Sequence, residues 1–416
     1  MRLIAIILLG LALAACDAPQ PPAQPVENTA ADANSSETWR VAIELPGIEL
    51  PVKLHLANDF SEAWFSNGSE RVMVPEIHAE GQKLTLRFPA FNNTFSLVHS
   101  GDSMSGTLTL VKRGYEQVMP VHAARGDEQR FVSEVAPAIN VTGRWETVFT
   151  DSAGKQTQAI GEFDQQGSRV VGTFLTPTGD YRYLEGQVSG RQLLLSTFDG
   201  AHAFAFSANL NAADELEGGF WSGTRSYESW VAKRNFDARL PDAYSLTYLK
   251  EGYDRLEFSF PDLDGNPVSL GDPRFKGKVV LVTLSGSWCP NCADEVEFLS
   301  GYYRSNHQRG LEIVTLLYEH FEDFERAAQQ GKRLRDEFDV GYELLIAGLS
   351  DKTLAAETLP MLNHVLAFPT TIFVDRSGAV RRIHTGFSGP GTGSYYTQFV
   401  EEFNRQMDDL LAEPPP

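Results

Sequence analysis

Cysteine is scarce in this chain. Its 416 residues hold three, so no framework of disulfides can staple the fold. Positive charge is short as well. Thirty-five Lys and Arg stand against 55 Asp and Glu, a formal net charge of −20, which leaves little to neutralise phosphates and excludes nucleic acid as a partner. The same balance disfavours adhesion to anionic lipid by charge alone. The apolar run at residues 3–13 is too short to span a bilayer. No second cysteine pair and no His-x₃₋₅-His spacing exists, so a zinc site would lack half its ligands. His320, His364 and His384 show no mutual spacing that suggests a metal either.

What is present begins with an export signal. Arg2 supplies the positive start, and the apolar run ends at Leu13-Ala14-Ala15-Cys16. This end resembles the lipobox of bacterial lipoproteins. The resemblance implies that residues 1–16 are signal peptide and lipobox, and that Cys16 is lipid-modified and becomes the mature N-terminus. Several acyl chains anchor stably where one is marginal. Asp17 stands where an acidic residue commonly means inner-membrane retention in enterobacterial lipoproteins. The expected location is the bacterial cell envelope, lipid-anchored, facing the periplasm. Residues 17–37, rich in Pro, Ala, Asn and Ser, read as a disordered tether.

Residues 38–236 alternate apolar and polar in short runs broken by Gly, Asn and Asp, the mark of an all-β meander. A repeat is visible. Ser-Gly and Glu-Gly turns, Phe-x-Phe-like strands and an opening Trp (Trp39, Trp145) recur in order. Two related meander units are therefore expected, at 38–125 and 138–236, forming either two small barrels or one large two-part β structure. They could form a ligand cup, a docking surface or a spacer.

The regime changes at about residue 253. Strands then alternate with helical stretches to residue 412, which predicts a three-layer α/β domain with a mixed sheet. Within it, the buried run 279–284 leads into Trp288-Cys289-Pro290-Asn291-Cys292. A strand that ends in a turn and a helix places Cys289 at the helix N-terminus, where unpaired N–H groups and the dipole favour a thiolate. The spacing lets Cys292 reach back and close a disulfide. A zinc half-site and an inert bridge remain the alternatives.

Phe260-Pro261-Asp262-Leu263-Asp264-Gly265, Trp288-Cys289-x-x-Cys292 and Phe368-Pro369-Thr370-Thr371 together resemble the TlpA/ResA group of extracytoplasmic thioredoxin-fold thiol–disulfide oxidoreductases. The resemblance runs from about residue 256 to the C-terminus. It implies an enzyme with Cys289 as attacking thiol, Cys292 as resolving thiol and a cis bond before Pro369. Glu295 matches an acidic residue that tunes thiol acidity, and Trp288 is expected to shield the disulfide edge. No cofactor or metal is implied. The implied partners are protein disulfides, apocytochrome c among them, and a membrane thiol donor. Asp294 and Glu297 are expected in solvent. The family usually has proline before its second cysteine, whereas Pro290 follows the first here, so the direction of electron flow is not legible.

The expected function is that of a membrane-anchored reductase. Two competitors remain. A peroxiredoxin-type thiol peroxidase would need Thr at the position of Gly286, and a binding lipoprotein would work through the β units. The segment from Gly386 to Gly393 lacks the Gly-Lys-Ser/Thr ending of a phosphate loop and is expected as a flexible loop beside the thiols.

Overall fold

The computed structural model describes residues 36–126, 129–132 and 135–415. Cys16, the signal segment and residues 17–35 lie outside the described residues. Ser36 and Glu37, expected as the end of the tether, already belong to the first strand, Ser36–Leu45.

The first unit is a nine-stranded antiparallel sheet from Ser36–Leu45 to Tyr115–Arg125. Period-two patterning decides which face is buried. In Lys83–Phe88, Leu84, Leu86 and Phe88 point inward while Lys83 and Arg87 are exposed. The first strand pairs with the ninth, which leaves the two sheet edges at Glu70–Met73 and Glu76–Glu80. Those edge strands are joined in sequence by Val74-Pro75 but not in a ladder, so this sheet stays open.

The second unit closes. Gln156–Gln166 pairs with both Gly143–Thr150 and Arg169–Thr176, and the ladder returns through Ser226–Arg234 to its start. Glycine permits the tight curl at the closing pair. A Cβ on Gly172 would stand 2.2 Å from the Glu162 carbonyl oxygen. A barrel of about eight strands is just wide enough for side chains to fill. Trp145, Phe149, Phe174, Phe206 and Trp230 do so, each at most 1% exposed. Phe174 packs 5.1 Å from both Phe149 and Phe206. The barrel's interior is a core of packed side chains.

The units complete each other. Phe198, Ala203 and Ala205 on the barrel's outer face enter the core of the open sheet, where Phe198 lies 5.0 Å from Phe65 and 5.1 Å from Phe95. Arg130 clamps the join. It is 5% exposed and donates to the carbonyls of Pro51 and Ser66 on one side and of Ser196 on the other, with Glu185 as its ion-pair partner.

The C-terminal domain is a five-stranded mixed sheet. Its order is Glu343–Leu349, Leu311–Glu319, Val279–Ser285, Thr370–Val374 and Val380–Thr385, the first three parallel and the last two antiparallel. All seven residues of the central strand Val279–Ser285 are buried, as a strand covered by helices on both faces must be. One face packs on Val296, Leu299, Leu334, Phe403 and Met407 from the helices Pro290–Asn306, Phe324–Glu337 and Ser394–Ala412. The other packs on Ala355 and Leu359 beside the short helix Lys352–Thr358.

Candidate active site

The central strand delivers the chain into Gly286-Ser287-Trp288-Cys289, and the helix Pro290–Asn306 starts at once. Cys289 is its N-cap, with Sγ 3.2 Å from the Cys292 amide N–H, and Pro290 occupies the first turn, where a missing N–H costs nothing. Cys289 and Cys292 are joined in a disulfide and are 7% and 1% exposed. The outer sulfur is therefore Cys289. On reduction, the helix dipole and the amide N–H favour its thiolate. The Phe368–Pro369 bond is cis, and the Phe368 carbonyl oxygen lies 3.7 Å from Cys289 Sγ.

One turn beyond Cys292, Glu295 is 2% exposed. Its Oε1 accepts from the Thr371 hydroxyl at 2.6 Å, while Oε2 has no partner. Burial pushes its pKa up to about 8, against a smaller lowering by Thr371. Glu295 is thus a neutral acid at pH 7, tied to the strand that follows Pro369. The structure brings Cys289, Cys292, Glu295, Pro369 and Trp288 together.

Trp288 donates from Nε1 to the Tyr318 carbonyl at 2.8 Å and lies edge-on to Phe368 at 6.0 Å. Two supports of this tryptophan carry no sequence signal. His320 stacks on it at 4.8 Å, and burial, with Lys112 and Arg113 nearby, pulls its pKa down to about 4, so the ring is neutral. Glu319 is 1% exposed and accepts from the Ser287 amide at 2.9 Å and from its hydroxyl at 2.7 Å; burial raises its pKa to about 7. A buried carboxylate far along the chain cannot be matched to a turn by local pattern.

The second β unit reaches this site. The Asp180 carbonyl accepts from Asn291 Nδ2 at 3.2 Å, and Asp180 Oδ2 accepts from the Gly389 amide at 2.8 Å. Arg182 donates to the Pro290 carbonyl at 3.2 Å, to Glu70 of the first unit at 2.7 Å, and to Asp294. One side chain therefore joins all three domains. Asp294, expected in solvent, has a side chain only 13% exposed and is held by Arg182; Glu297 is exposed. Burial raises the Asp180 pKa to about 6, and Asp294 nearby adds to the rise.

The segment 386–393, expected as a flexible loop, is instead packed against the barrel loop. A Cβ on Gly386 would stand 3.0 Å from the Thr178 backbone, one on Gly389 2.7 Å from Asp294 Oδ2, and one on Gly391 3.0 Å from the Arg182 backbone. Its glycines let the barrel loop approach closely. That clustering was the available signal. Between loop and sulfurs remains a cleft of about 250 Å³ bordered by Thr178, Tyr181, His202, Trp288, Cys289 and Phe368.

Residues 252–383 match the profile of the AhpC/TSA family. The thioredoxin-like protein YneN of Bacillus subtilis is 28% identical over 138 residues, covering 33% of this chain and 73% of YneN. The thiol-disulfide oxidoreductase ResA of Bacillus thuringiensis is 27% identical over 129 residues, covering 31% of this chain and 66% of ResA. The matched segment thus spans about two thirds to three quarters of these relatives. Among solved structures, a thiol:disulfide interchange protein of the thioredoxin family from Chlorobium tepidum aligns with 36% of this chain and 97% of its own. Its identity is 20% and its TM-score 0.27. A thiol-disulfide oxidoreductase from Bacteroides fragilis aligns with 36% and 99% at 19% identity and a TM-score of 0.27. The C-terminal domain is a TlpA/ResA-like thioredoxin fold, and the chain carries a thiol–disulfide oxidoreductase.

Proposed function

We propose that this TlpA/ResA-like oxidoreductase works as a reductase of protein disulfides in the bacterial envelope, held to the membrane through Cys16. The observation that supports it best is the Cys289 sulfur, at a helix N-terminus and 3.7 Å from a backbone carbonyl, above a buried neutral carboxyl. The Cys289 thiolate attacks one client sulfur, the client disulfide breaks, and the leaving client thiolate takes a proton. Cys292 passes its proton to the ionised fraction of Glu295, attacks the Cys289 sulfur and breaks the mixed disulfide, and the second client thiolate leaves and takes up a proton. The client gains two electrons and two protons, and the Cys289–Cys292 pair is oxidised.

A membrane thiol donor must return those electrons for a second turnover. Apocytochrome c is a candidate client through the family resemblance. Peroxide is disfavoured as substrate. A side chain at Gly286, where a peroxide-activating threonine would stand, meets Trp288 Nε1 at 2.4 Å.

Fractionated cells provide the test. Wild-type protein should remain with membranes and, once reduced, convert an added protein disulfide to thiols. Cys16→Ser should give the same reduction from the soluble fraction. Retention on membranes without Cys16, or no electron transfer from the reduced wild type, would sink the proposal.

A further inference from the structure

A groove of about 850 Å³ lies in the seam between the first β unit and the redox helices, next to the thiol cleft. Arg182, Asp199 and Pro290 border both spaces, so the groove and the cleft adjoin at these residues. One wall is Glu70–Met73, an edge of the open sheet, whose outer side pairs with no strand among the described residues. The opposite wall is formed by Ala293 and Glu297 of the helix Pro290–Asn306 and by Arg333, Asp336 and Glu337 of the helix Phe324–Glu337. An unpaired strand edge offers backbone N–H and C=O groups to an extended chain. The cleft at the other end offers the Phe368 carbonyl.

Charge selects the occupant. Glu297 and Glu337 face the groove with no ion pair to either among the described residues, and burial and then Glu297 raise the Glu337 pKa. The cations beside them are engaged elsewhere. Arg333 donates to the Pro89 carbonyl at 3.1 Å, Arg71 lies over the Trp64 ring at 5.2 Å, and Arg182 is held by Glu70 and Asp294. The barrel loop meanwhile closes the cleft on its other side through Asp180 and Asn291.

We propose that the groove is the client channel, in which an extended polypeptide bearing cationic residues beside its cystine lies along Glu70–Met73 and presents a sulfur to Cys289. This rests on the reading of the thiol pair as a reductase of protein disulfides. It gives the β units a task, since they supply the walls that turn an open thioredoxin surface into a channel for an unfolded segment.

The experiment uses the reduced full chain and three substrates: oxidised glutathione and two cystine peptides of one length, with lysines or glutamates flanking the cystine. The lysine peptide should be reduced about tenfold faster by kcat/KM at low salt. The preference should fall towards one in the double variant Glu297→Gln, Glu337→Gln, and in high salt. The double variant separates the groove from the general pull of a chain with net charge −20. Equal rates for the two peptides, a preference that survives both substitutions, or reduction of glutathione with neither peptide accepted would overturn the channel. Failure to reduce any of the three would instead overturn the reductase reading beneath it.

Discussion

Cys292→Ser should arrest the reaction at its midpoint, with a client covalently bound to Cys289. The two sulfurs differ in access, at 7% and 1% exposure, so an incoming disulfide meets Cys289 first. Without Cys292 the mixed disulfide has no internal nucleophile to resolve it, and multiple turnover should fall by at least about a thousandfold. Non-reducing gels should show adducts that collapse with excess thiol. Cys289→Ser should show neither adduct nor turnover, because Cys292 is buried beneath the first turn of its helix. Equal adduct formation by the two single variants would mean that the roles are not divided as the burial indicates.

Glu295→Gln should make the protein more stable and less active. The wild-type carboxyl is neutral in the folded chain up to about pH 8 but ionises near its ordinary value once unfolded. The unfolded state therefore holds fewer protons between these values. The stability this group confers is complete below the unfolded pKa and is lost as pH rises through about 8. Glutamine cannot ionise, so the variant should gain about 4 kcal/mol near pH 8 and nothing below about pH 4. Denaturant midpoints across that range measure it.

Catalysis should move the other way. A group with a pKa near that of a thiol exchanges a proton with it at little cost, and positioned acid–base catalysis supplies roughly a hundredfold. Resolution of the mixed disulfide should climb through about pH 8 in wild type. In the variant it should lie about a hundredfold lower and climb only at higher pH. A variant that gains stability but keeps its rate and pH profile would leave Glu295 a buried acid without a catalytic task.

These side chains were legible from sequence in unequal degree. Cys289, Cys292 and Glu295 stand within seven residues on one helix start, and Phe368-Pro369 precedes a β-branched run, so local spacing and the family resemblance suffice to nominate them. The strands of the β units were legible too, because inward and outward residues alternate as in Lys83–Phe88. What escaped is non-local. Asp294 reads as a surface acid because the arginine that buries it lies 112 positions away, in another domain. Glu319 ends, and His320 follows, a strand whose apolar run says only that it is buried. Two similar meanders form one open sheet and one closed barrel, and the barrel's Phe198 completes the core of the sheet, a contact no repeat pattern encodes.

Pro290-Asn291 leaves the direction of electron flow to measurement. The decisive quantity is the reduction potential of the Cys289–Cys292 pair, equilibrated against glutathione and dithiothreitol buffers and read by thiol alkylation. The account predicts a value near that of thioredoxin, roughly −270 mV, as a donor of electrons to protein disulfides requires. A value near about −120 mV would make the pair an oxidant and contradict it.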